Sequence, residues 1–178
     1  MNVEQLRAQE ILDSRGYPTV EVSITLQGAP PISARASVPS GKSTGQFEAL
    51  ERRDHDPKRY TGKGVLDAVR AVEETIAPAL VGAPLPEQEA LDQALIALDG
   101  TPTKSNLGAN AILGVSLAAA RARALAGGQA LFESLAAPDA NLLPVPCLNV
   151  INGGAHSDTP LEFQEFMIVP AGRPTFAE

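Results

Sequence analysis

From Thr19 to Leu26 the chain alternates strictly. Val20, Val22, Ile24 and Leu26 share one face, and Thr19, Glu21, Ser23 and Thr25 the other. That period of two predicts a half-buried strand of antiparallel type. Glu4–Leu12 before it mixes apolar and polar residues and ends in the turn cluster Asp13-Ser14-Arg15-Gly16. Gln27–Pro31 reads as a second turn and Ile32–Val38 as a third short strand, giving a three-stranded meander. The period then changes. Val65–Leu80 places Val65, Val69, Val72 and Ile76 at helical spacing. Pro86–Leu98 opens with proline at a first-turn position and with acidic Glu87 and Glu89, which suit a helix N-terminus. Ala109–Ala126 is the strongest helix, with few polar residues and Gly127-Gly128 to close it, and is expected to lie buried between other elements. A short helix follows near Leu131–Ala136.

Beyond the proline-punctuated link Pro138–Pro146 the texture changes again. Val145–Ile151 and Phe163–Val169 are compact apolar runs of strand type, separated by Asn152-Gly153-Gly154-Ala155-His156-Ser157-Asp158. The fold class is therefore α+β: a meander-and-helix domain over residues 1–140, then a second unit over 141–178.

Composition narrows the function classes. The 178 residues carry a net charge of −7, which argues against a general nucleic-acid binder but not against a local anion site. Aromatics are 4% with no tryptophan, so the core must be built from Ala, Leu, Val and Ile. The single cysteine, Cys147, excludes an internal disulfide framework and reads as a core residue. No apolar run approaches the roughly 18 residues of a membrane span. Residues 1–10 carry no signal-peptide core, so the cytoplasm is the expected compartment.

Three stretches carry candidate chemistry. Gly41-Lys42-Ser43 resembles the end of a phosphate-cradling loop, but the strict pattern needs glycine where Ala36 stands. Pro39 also removes a backbone donor, and the preceding strands look antiparallel. The other readings are a Gly/Ser surface loop, or a lid whose oxygens meet a hard cation. Asn152-Gly153-Gly154 lets the backbone turn tightly, and after a buried strand it would place His156 at the strand end, where α/β sites lie. The plain alternative is a solvent-facing loop histidine. Glu165 sits inside an apolar run, beside Gln164, where a charge is costly unless paired, protonated or on a solvated edge. With His156 it could serve acid–base work. The charged clusters Glu48–Asp54 and Arg121–Arg123 read as solvated helix faces, and His55 as exposed.

Taken in order, these segments resemble the enolase family, whose members act as phosphopyruvate hydratase. The resemblance rests on Ile11–Gly16 with Pro18–Val22, on Val38–Gly41 with Ser43–Gly45 and Glu48–Glu51, on Lys104–Ser116, and on Leu148–Gly154 with His156 and Gln164–Met167. It covers essentially the whole chain. It implies an enolase-like N-terminal domain followed by the first strands of an incomplete α/β barrel. It also implies a carbon–oxygen lyase that removes water from 2-phosphoglycerate to give phosphoenolpyruvate, with Mg2+ as cofactor, in glycolysis. The chemistry needs that ion: removing a proton α to a carboxylate builds charge that a metal must absorb, and an acid must help hydroxide leave.

By resemblance Ser43 would be a metal ligand, His156 and Gln164 would be substrate-binding, and Glu165 would be catalytic on the acid side. The family usually has a small residue at Lys42 and asparagine at Tyr17. Its carboxylate ligands for the first magnesium, its catalytic lysine and its phosphate-gripping residues lie in a barrel region that this chain is expected to lack. A homodimer or higher homo-oligomer is implied for the full-length protein, with Arg15 and Glu21 near the interface. The second expectation is a catalytically inactive, enolase-like truncated protein acting in dimerisation or binding.

Overall fold

A computed structural model describes residues 1–41, 44–154, 157, 159–172, 175 and 177. The chain forms two compact units, Met1–Leu135 and Ala136–Glu178.

In the first unit β1 (Val3–Leu12), β2 (Pro18–Leu26) and β3 (Ile32–Ser37) form an antiparallel sheet in the order β1-β2-β3. The alternation in β2 does what its period requires: Val20, Val22 and Ile24 are wholly buried. They share one core with α1 (Leu66–Arg70), α2 (Ala77–Leu80), α3 (Gln88–Asp99) and α4 (Ala109–Ala126), while α5 (Leu131–Leu135) contributes no buried residue. The expected bounds of α4 and those found coincide. Its alanines and Val115 pack on β2 and β3 as a small-residue core, in keeping with the scarcity of aromatics.

Two expectations about helices need correction. Val65–Leu80 is not one regular helix, because a π-helical turn, Ala71–Ile76, separates α1 from α2. Pro78 stands two residues past that turn, lacks an N–H and would crowd the carbonyl four residues back. A π-turn is one way a helix accommodates such a defect. Pro86 is not in the first turn of α3. That helix starts at Gln88, with Glu87 at its N-cap and Glu89 in the first turn.

The tightest approach in the first unit is at Gly114. A Cβ there would stand 2.6 Å from Cγ2 of Val22 and 3.3 Å from Cγ2 of Val38. Glycine is what lets α4 press onto β2. In an exposed helix Gly→Ala gains about 1 kcal/mol. Here overpacking against a branched core residue costs about 1–3 kcal/mol and should win. Gly114→Ala is expected to lower stability by roughly 1–2 kcal/mol, read as a fall in the urea midpoint. A rise in the midpoint would show that the core gives way more easily than this.

In the second unit β4 (Leu148–Asn152) and β5 (Glu165–Ile168) pair antiparallel, with an irregularity between Asn149 and Ile151. The described residues contain these two strands and no closed barrel. The strand expected to be buried is not: every residue of β4 and β5 is exposed. Strand burial in a barrel comes from neighbouring strands and covering helices. Cys147 is likewise exposed rather than a core residue. No helix among the described residues is long and apolar enough to cross a membrane.

Candidate functional site

Two clusters hold the candidate residues, one in each unit. The first surrounds the stretch after β3. Val38 is tied to β2, since its N–H donates to the Val20 carbonyl at 2.9 Å and its own carbonyl accepts from the Thr19 hydroxyl. Two residues on, Ser40 is gripped from three sides. The Arg15 guanidinium donates to its carbonyl at 2.5 Å. Arg53 Nη2 donates to its Oγ at 3.1 Å, and that hydroxyl donates to Glu51 Oε2 at 3.1 Å. At the far side of the stretch, Gly45 N–H donates to Glu48 Oε2 at 2.8 Å, and Glu48 N–H to the Gly45 carbonyl at 3.2 Å. Ser43, the expected metal ligand, and Lys42 lie outside the described residues.

The phosphate-loop reading finds no support in the surroundings. Gly41 follows an antiparallel edge strand, and the described residues from 44 to 59 form no helix. A P-loop needs a helix N-terminus directly behind it.

The Glu48–Asp54 cluster was expected as a solvated helix face, and it is neither helical nor fully solvated. Arg52, Arg53 and Asp54 are half-buried in an extended rail laid against the start of α4. Leu50 N–H donates to the Thr103 carbonyl, and Ala109 N–H donates to the Leu50 carbonyl. The Asn110 side chain, 3% exposed, makes a reciprocal pair with the backbone of Arg52 at 3.0 and 3.1 Å. Asp54 accepts from Asp67 N–H at 2.8 Å and from Arg59 at 2.9 Å. Glu10 accepts from Val65 N–H at 2.8 Å and from the same arginine at 2.5 Å. Two carboxylates therefore satisfy two of the free backbone donors at the start of α1, those of Val65 and Asp67. Of the arginines in the other cluster, Arg121 is exposed and donates to the Arg35 carbonyl at 3.0 Å, while Arg123 is half-buried and donates to Gln88 Oε1 at 2.7 Å. His55 is exposed, as expected.

Asp99 is the residue that the sequence reading overlooked most. It is 2% exposed, at the last position of α3. Burial alone would raise its pKa. The Leu107 N–H at 2.7 Å and the Thr101 hydroxyl at 2.5 Å and N–H at 3.0 Å outweigh it, so the carboxyl titrates below its ordinary value. This one side chain folds the loop from Thr101 to Gly108, against which the rail lies. Asp13 titrates low too, chiefly because the Tyr17 N–H donates to it at 2.9 Å. Tyr17 itself stacks under Lys63, with the ammonium 3.6 Å from the ring centroid.

The second cluster is the β4–β5 hairpin. Asn152 is the register partner of Glu165. Gly153 N–H donates to the Gln164 carbonyl at 2.9 Å and Gly154 N–H to the Leu161 carbonyl at 2.8 Å. A Cβ on Gly153 would lie 2.4 Å from the Phe163 carbonyl oxygen, so the close approach requires glycine there. The Gly-Gly turn is thus fastened beside Gln164 and Glu165, both of them exposed. His156 lies outside the described residues.

The chain is thus an α+β unit of meander and helices, followed in sequence by a strand pair with a glycine turn and a strand carboxylate. Comparison with known proteins gives the family. Residues 3–135 match the family described as enolase, N-terminal domain, and residues 140–178 that described as enolase, C-terminal TIM barrel domain. The chain is 58% identical over 176 residues to the enolase of Mycobacteroides abscessus and 57% identical over 176 residues to that of Kineococcus radiotolerans. Each match covers 99% of this chain. The chain belongs to the enolase family. It spans 40% of the length of these two curated relatives.

Proposed function

We propose that the chain supplies one edge of the site for the magnesium-dependent dehydration of 2-phosphoglycerate to phosphoenolpyruvate, the enolase step of glycolysis, in the cytoplasm. The observation that carries this reading is the family match, which extends through both candidate clusters. The hairpin geometry supports it further. Register and two hydrogen bonds hold Gln164 and Glu165 against the turn that leads to His156.

In this reading Glu165 acts on the acid side, assisting the departure of the substrate hydroxyl. Gln164 lines the pocket and His156 contacts the substrate. Ser43 gives a hydroxyl oxygen to the second Mg2+. The described residues do not compose a magnesium site on their own. No group of three or more His, Cys, Asp or Glu among them could hold a metal ion. The Ser40 hydroxyl, the nearest described candidate, is already bonded to Glu51 and faces a guanidinium. Magnesium demands about six oxygen ligands in octahedral array. In this reading the chain would contribute Ser43, with further ligands expected from a barrel. The whole protein is proposed to be a homodimer or higher homo-oligomer. Arg15 and Glu21 lie on its sheet domain, where Glu21 accepts from Gln9 at 2.8 Å and Ser37 at 3.0 Å.

The experiment joins this chain to the remainder of the Mycobacteroides abscessus relative's barrel and follows phosphoenolpyruvate absorbance. Ser43→Ala is expected to raise the Mg2+ concentration for half-maximal turnover by about tenfold or more. An unchanged Mg2+ requirement would remove Ser43 from the site.

A further inference from the structure

Arg53 is the most heavily engaged side chain near either cluster. Nη1 donates to the Pro18 carbonyl at 2.6 Å and to the Lys63 carbonyl at 2.5 Å. Nη2 donates to Ser40 Oγ at 3.1 Å and to Glu51 Oε1 at 2.8 Å. The side chain is only 14% exposed. With both terminal nitrogens committed inside the protein, this guanidinium is poorly placed to grip an anion. What it joins is informative. Pro18 begins β2, Lys63 precedes α1, Glu51 belongs to the rail on α4, and Ser40 begins the stretch that carries Ser43.

We propose that Arg53 is a positioning residue for the stretch that carries Ser43: it ties Ser40 to the start of β2, to the segment before α1 and to Glu51 of the rail, and so sets the point from which the Ser43 segment departs. This rests on the metal role assigned to Ser43 above. The base of Arg53 is held by its neighbours. Arg52 is locked to Asn110, and Asp54 N–H donates to the Gly64 carbonyl at 2.9 Å. Glu51 completes the node by bonding both Ser40 and Arg53, so the Ser40 hydroxyl lies between a cation and an anion. Arg15 adds a further bond, to the Ser40 carbonyl. Lysine cannot replace this arginine, because one ammonium cannot present the planar fork that reaches four acceptors in four separate segments.

Two measurements test the positioning role. In the 178-residue chain, amide order parameters at Ser40 and Gly41 are expected near the rigid value of about 0.85. Arg53→Lys should drop them below about 0.6 while Val22 and Val115 stay rigid. Ser40→Ala, which removes only the bridging hydroxyl, should lower the value at Gly41 in the same way. Order parameters unchanged in either variant would overturn the proposal. So would a loss of order that spreads to Val22 and Val115, which would make Arg53 a general fold residue. In the chain joined to a barrel, Arg53→Lys should raise the Mg2+ requirement about tenfold, with the KM for 2-phosphoglycerate essentially unmoved. An unchanged Mg2+ requirement, beside a raised one in Ser43→Ala, overturns the link to the metal. If the parent fusion turns over no substrate, the functional reading fails, and the order parameters still decide whether Arg53 holds Ser40.

Discussion

Glu165→Gln, made in this chain joined to a complete barrel, is expected to cut kcat by about 10²–10⁴, the usual worth of a positioned acid–base group. The substitution keeps the shape of the side chain and removes its ability to carry a proton. Glu165 is the first residue of β5, exposed, and paired in register with Asn152. Among the described residues its carboxyl has no ion-pair partner, so its loss should leave the fold unmoved and show in turnover alone. The KM for 2-phosphoglycerate should change far less than kcat, as for a group used mainly in the transition state. A variant with full kcat would take Glu165 out of the chemistry and leave it as a solvated strand residue.

Asp99→Asn is expected to be the most damaging single change in the first unit, costing about 2–3 kcal/mol. The amide can still offer one oxygen to Thr101, but its NH2 must face the Leu107 N–H that Asp99 now satisfies at 2.7 Å. A buried donor is thereby orphaned in a site only 2% exposed. The pH dependence has a definite sign. The folded-state pKa of Asp99 lies below the ordinary value of 3.8. Its contribution to stability is therefore complete above that value and is lost as pH falls through the folded pKa. Urea unfolding from neutral to acid pH should show this slope in the parent and a shallower one in Asp99→Asn. Equal slopes would mean that the carboxylate is not held charged by the Thr101–Leu107 loop.

The sequence made some of this legible, and the reason is local. The strict alternation of Val20, Val22, Ile24 and Leu26 gave β2 its inner face, and the alanine-rich run from 109 to 126 gave α4 its bounds. Both signals are written in consecutive residues. What could not be read depends on partners far along the chain. Arg53 reaches Pro18 and Ser40, and Asn110 reaches the backbone of Arg52, 58 positions away. No periodicity encodes such pairings, and a run of charges looks like a solvated face whether or not it is bonded. The one available clue was Asn110, a polar residue standing within an otherwise apolar helix opening.

In the second unit the strand type and the Gly-Gly turn could be read, but the burial could not. An apolar run such as Leu148–Asn152 records what a complete barrel would cover, while its own surroundings leave it exposed. The carboxylate at position 165 stands out in an apolar run, yet its pairing with Asn152 depends on the irregularity between Asn149 and Ile151.

In the proposed function these residues form one edge of an enolase site whose remaining ligands would come from a barrel. The most direct measurement is phosphoenolpyruvate formation from 2-phosphoglycerate and Mg2+, by the 178-residue chain and by the same chain joined to the relative's barrel remainder. The expected result is no turnover from the chain alone and turnover from the joined protein. A folded joined protein that makes no phosphoenolpyruvate would contradict it, and so would turnover by the chain alone that disappears in Glu165→Ala.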